Sequence, residues 1–225
     1  KDIPLAAAMT TASYFLIRTA RDLPRPRWRD VIGLGLFTGL ALGIKVLGLL
    51  LVVYAGLLVL ARIPRPTTMR DTSRFIGSCV LRFLPALMIA YPIMLAAWPW
   101  AALAPLNPVR GLFQFAEFHY HIVTWLAGQR YEMATSPRLY VPIYLAIRLP
   151  LLLLGAAAFS LALVMLPQTM SRLFPQTQRR ETAMVIFMVL FPLACQVIGH
   201  GPAFTGMRHF LFVVPLLAVL AAIAL

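Results

Sequence analysis

A few ionisable residues stand where an apolar chain has least use for them. Arg208 and His209 open the run GMRHFLFVVPLLAVLAAIAL, Lys45 interrupts the apolar stretch 31–61, and Asp2 directly precedes the apolar stretch 3–17. Arg130 and Tyr131 lie in GQRYEM, and Glu117 and His119 lie in FAEFHYH. Together such groups can handle an anion. An arginine grips phosphate with a two-pronged fork, a lysine offers a point charge, and a carboxylate takes or orients a proton. A lysine at the centre of a membrane helix costs about 2.5–3.5 kcal/mol, so its presence calls for an explanation. With Arg208 read as the start of the last helix, its charge opposes the helix dipole, and a bound anion would reverse that balance. The plainer alternative for Arg130, Lys45 and Arg208 is a basic side chain reaching up to lipid headgroups. For Glu117, His119 and His121 it is a wet helix face.

The elements that must position these residues are membrane segments. The 225 residues are 61% hydrophobic and 12% charged, and the mean hydropathy is +0.84. A soluble domain is more charged and less apolar. The apolar residues fall into several long runs, which defines an all-α, polytopic membrane protein. The net charge of +13 does not indicate nucleic acid, because the basic residues cluster in short loops between apolar runs. Cys79 and Cys195 lie in or beside such runs without metal-ligand spacing and read as small buried residues.

The stretch 31–61 decides the topology. As one helix it would be about 46 Å long against a hydrocarbon core of about 30 Å. It would also divide the Lys and Arg residues ten to nine across the membrane, with Lys45 stranded. A hairpin turning near GIKVLG instead divides them thirteen inside to seven outside, as the positive-inside rule prefers. Its arms are short, and Gly43 and Gly48 permit a tight turn. About seven membrane segments follow in one transmembrane domain over 1–225: 3–17, the two hairpin arms, 83–104, 143–166, 183–199 and a last one from Phe210. The N-terminus is outside, with 105–142 as an external loop. Within that loop, Leu112, Phe113, Phe115, Phe118, Ile122, Val123, Trp125 and Leu126 alternate with polar groups, and an interfacial amphipathic helix is expected there. Two histidines spaced His-x-His on a helix point apart and make a poor metal pair; no metal ligand is assigned. The start KDIPLAAAM and the apolar end read as an internal piece of a longer chain.

KDIPLAAAM before a helix, GLFTGLALGIKVLGLLLVVYAGLLVL, RYEM in an aromatic loop and GMRHFLFVVPLLAVLAA together resemble the GT-C membrane glycosyltransferases. Within these, the closest likeness is to the protein mannosyltransferases of family 39 and their bacterial relatives. The resemblance implies transfer of a sugar from a dolichyl- or polyprenyl-phosphate donor to a protein, lipid or glycan acceptor. The reaction would occur on the extracytoplasmic side of a bacterial inner membrane. Asp2 matches the family's acidic residue at the outer start of a helix, as an acceptor or ion site. Lys45 and Arg208 match its phosphate-binding cations, and His209, Arg130, Tyr131, Glu117 and His119 complete the candidate substrate site. The family's general base lies in a loop that would precede Lys1, so this piece alone is expected to be inactive. A divalent cation is compatible with the chemistry. The rival readings are a multi-pass transporter for a small solute, suggested by the broken helix, and a non-catalytic scaffold.

Overall fold

The structure is a computed structural model that describes residues 1–63, 68–104, 106–107, 110–111, 122–165, 176–199 and 206–224. It is mostly helical and divides into two compact units: Lys1 with Ile3–Phe113, and Asp2 with Gln114–Leu225. Among the described residues two helices are long and apolar enough to cross a membrane, Met69–Ala97 and Gln178–Gly199, and three shorter apolar helices accompany them. These observations favour a membrane location.

The first unit is built on helices α1 (Asp2–Arg21, of which Asp2 itself groups with the second unit), α2 (Trp28–Ile44), α3 (Leu49–Ala61) and α4 (Met69–Ala97), with the short α5 (Pro99–Ala102) after them. Helix α1 carries Asp2 in its first turn and Arg18 and Arg21 in its last, each charge complementing the helix dipole. It packs antiparallel to α2. Phe15 lies against Gly33 and stacks on Phe37 at 5.9 Å, while Arg18 Nε meets Asp30 Oδ1 at 2.9 Å.

Helix α2 stops at Lys45. That residue is extended (φ −153°, ψ 147°), its N–H still donating to Ala41 O. A 3₁₀ turn, Val46–Gly48, follows, and Gly48 N donates back to Lys45 O at 3.0 Å. The broken backbone is thereby satisfied locally, as a low-dielectric setting demands. Gly48 returns onto the backbone of Ala41 and Leu42, where an added Cβ would lie 2.6 Å from Leu42 N. The run 31–61 is therefore a hairpin and not a rod.

Helix α4 starts at Met69, after the cap Thr68, whose hydroxyl accepts from Asp71 N, five residues before the end of what the sequence presents as a basic loop. It runs parallel to α2 along a ladder of small residues. A Cβ added at Gly35 would meet Ala86 O at 2.6 Å, at Gly39 it would meet Ala90 O at 2.8 Å, and at Gly43 it would meet Ala97 Cβ at 2.6 Å. Glycines four apart let two membrane helices touch backbone to backbone, where dispersion does the work that the hydrophobic effect cannot do in lipid. With these directions fixed, one end of the unit carries Arg18, Arg21, Arg25, Arg27, Arg29, Arg62, Arg70 and Arg74. The other carries Lys1, Lys45, Trp98 and Trp100.

The second unit departs from an all-α reading. Strands β1 (Val123–Leu126) and β2 (Gln129–Glu132) form an antiparallel hairpin. The amphipathic helix expected over 112–126 is thus contradicted at Val123–Leu126, where Val, Thr and Trp favour a pleated strand; residues 112–121 lie outside those described. The turn residues Ala127 and Gly128 both have positive φ, 50° and 77°, the two-residue geometry that matches hairpin twist. Helices α6 (Tyr140–Arg148), α7 (Leu151–Met165), α8 (Gln176–Gly199) and α9 (Val213–Ala224) complete the unit. The single span expected over 143–166 is two helices, because Pro150 excludes helical geometry at Leu149, which is extended (φ −91°, ψ 147°). The expected buried pair of cysteines is half right: Cys79 is buried and Cys195 exposed.

Replacing Gly35 by Ala should lower stability by about 1–3 kcal/mol, since backbone must give way. Gly77, where nothing lies within 4 Å of an added Cβ, is the control. Gly77→Ala should be neutral or stabilise by up to about 1 kcal/mol through helix propensity. Thermal unfolding in detergent compares the two.

Candidate functional site

The site grows from a buried phenol in the second unit. Tyr140 begins α6 and is fully buried, in a cluster with Leu126, Val141, Leu145 and Leu149. Its hydroxyl shares a short hydrogen bond with Thr124 Oγ1 of β1 and accepts from Gly206 N at 2.9 Å. The ring of Tyr144 lies 4.6 Å away, and its hydroxyl donates to Trp125 O at 2.6 Å. Two tyrosines one helical turn apart thus hold the hairpin against α6. The first also holds the turn at Gly206, where φ is +67°, a conformation open to glycine at no steric cost.

That turn leads directly into Arg208. Arg208, His209 and Phe210 form a 3₁₀ turn, and α9 begins only at Val213. The expectation that Arg208 and His209 start the last helix is corrected by one turn, because Gly206 sets a separate local turn first. Arg208 Nε is in hydrogen-bonded ion-pair contact with Asp2 Oδ2. The Arg208 side chain is 66% exposed while that of Asp2 is only 13% exposed. A pair with one open partner is worth about 1 kcal/mol or less, so an arriving anion can exchange with the carboxylate.

The other candidates are distributed as follows. Arg130 sits on β2 opposite Trp125 and is exposed. Tyr131 packs on the Tyr140 cluster and faces the other side of the strand, as alternation requires. The two do not form one grip on a ligand; Tyr131 is part of the core. Lys45 stands at the α2 break in the first unit, half-buried. His209 lies beside Arg208, half-buried. Glu117 and His119 lie outside the described residues. Among the described residues no group of three His, Cys, Asp or Glu comes together.

Two features escape a reading of the sequence alone. Tyr140 and Tyr144 carry a faint signal, two aromatics four apart bordering a loop. Asp30 carries less: its carboxylate is 3% exposed, pairs with Arg18, and leaves Oδ2 without a hydrogen-bond partner among the described residues. Comparison with family models, with characterised proteins and with solved structures finds no match to the chain.

Tyr140→Phe removes one hydroxyl and leaves the Gly206 N–H and Thr124 without it. A loss of about 1–3 kcal/mol is expected for the stranded groups. Thermal melting should show this drop, and cysteine labelling at position 208 should become faster in a Tyr140→Phe, Arg208→Cys chain than in Arg208→Cys alone.

Proposed function

We propose that the chain is a GT-C type glycosyltransferase, or the membrane part of one. It moves a sugar from a polyprenyl-phosphate donor to an acceptor on the extracytoplasmic side of a bacterial inner membrane, as a bundle of about seven membrane segments. The observation that carries this reading is the Asp2–Arg208 pair. The acid and the phosphate-binding cation that the resemblance singles out lie 206 residues apart in sequence and meet in space.

In transfer, the bond from the anomeric carbon to the phosphate oxygen breaks, and the electron pair leaves on polyprenyl phosphate. The acceptor oxygen bonds to the anomeric carbon and gives up its proton to a carboxylate base, which is assigned to no residue described here. Arg208 meets the charge that builds on the leaving phosphate, the place where a preorganised cation lowers the barrier most. The phosphate takes Asp2's position on the guanidinium, and the released carboxylate orients the acceptor hydroxyl. Lys45, at the end of the first unit that also bears Trp98 and Trp100, is a further cation suited to a lipid phosphate. The arginine-rich end of that unit then faces the cytoplasm.

The test is sugar transfer by the full protein in liposomes containing a polyprenyl-phosphate sugar and membrane acceptors. Arg208→Gln should cut turnover by about 10²-fold, the typical cost of losing one charge-stabilising donor, and Arg208→Lys should recover part of it. Unchanged transfer in Arg208→Gln overturns the proposal. So does loss of solute uptake with lipid-linked sugar unaffected, which identifies a transporter instead.

A further inference from the structure

The first unit holds an apolar groove of about 550 Å³ between α2, α3 and α4, within the range of ligand pockets, about 300–1,000 Å³. Thr38, Val52, Gly56, Leu60, Val80 and Phe83 stand on its three walls. It is wide because α3 stands off from a tightly packed α2–α4 pair. Glycines bring those two helices together, whereas Gly56 of α3 has nothing within 4 Å of an added Cβ. Several wall residues remain open: Leu60 is 55% and Val80 57% exposed.

Water is a poor occupant for such a surface, and an exposed apolar area of this kind marks a ligand or lipid contact. Helix α4, which forms one wall, is long and apolar enough to span a bilayer, and only 22% of its apolar window is buried. Hydrocarbon therefore surrounds the groove in a membrane setting. The charge at its end identifies the rest of the ligand. Arg62 follows the α3 wall directly, at the end of the unit that also carries the arginines of α1, α2 and the start of α4; Arg82, with its guanidinium over the Trp28 ring at 5.5 Å, lies on the far side of the α2 contact. Lys45 lies at the opposite end of the unit. We propose that this groove binds one acyl chain of an anionic phospholipid from the arginine-side leaflet, with its phosphate at Arg62. The site is separate from that of the transfer reaction and does not depend on it.

The experiment is mass spectrometry of lipid retained by the full chain after purification in detergent. Wild type should keep a stoichiometric anionic phospholipid. Gly56→Trp fills the groove from a position with free space and should release it, with helicity unchanged by circular dichroism. Val80→Trp does the same from the facing wall and keeps the test decisive if the first variant fails to fold. Arg62→Gln should lower the preference for anionic over zwitterionic phospholipid several-fold. Retention of phospholipid by both folded tryptophan variants overturns the proposal. So does a wild type that keeps no lipid, or one that keeps polyprenyl phosphate in the groove instead.

Discussion

One buried hydroxyl ties the β-hairpin and the Gly206 turn of the second unit to one helix. Tyr140 reaches in one direction to the β-hairpin through Thr124 and in another to the backbone of Gly206. Thr124 belongs to a short two-stranded hairpin and Gly206 to a turn outside any helix or strand. A buried polar group left unpaired costs more than the bond itself contributes, so the phenol fixes both segments at once. Arg208 inherits its place from this arrangement, two residues after the anchored glycine. Its side chain, ion-paired with Asp2, remains largely open to solvent.

The first unit solves the same problem by different means. Its polypeptide must break an apolar run without leaving backbone groups bare. It does so at Lys45 with two local hydrogen bonds, to Ala41 O and from Gly48 N. The glycines then do two jobs. Gly35, Gly39 and Gly43 seat α2 on α4, and Gly48 seats the turn on α2. Tight contact on one face of α2 and a loose third helix together leave the groove. A cation at one end and arginines at the other give the unit an electrical direction, which is what a bilayer with a charged leaflet can read.

Much of this was legible in the sequence. The hairpin at Lys45 follows from length and charge count, since both are set by the membrane's thickness and potential. The hairpin at Val123–Glu132 was not legible. Aromatic and polar residues alternate there in a way that also fits an interfacial helix, and Ala127 replaces the Asn or Gly that announces such a turn. The break at Leu149–Pro150 carried a proline signal, but hydropathy alone runs through it. The small-residue ladder stands in the sequence as glycines at 35, 39 and 43, facing alanines at 86 and 90. Its pairing is a tertiary fact that no single segment displays. The Asp2–Arg208 contact was not legible: the topology sets both residues at the outer face, but nothing local relates positions 206 residues apart.

The most direct test of the account is the affinity of the full protein for polyprenyl phosphate in wild type, Asp2→Asn and Arg208→Gln forms, measured by titration in lipid nanodiscs. If phosphate and Asp2 share Arg208, Asp2→Asn removes a competitor and binding tightens, by up to about fivefold for a pair worth about 1 kcal/mol, while Arg208→Gln weakens it. Binding that is unchanged by either substitution, or weakened by Asp2→Asn, contradicts the account.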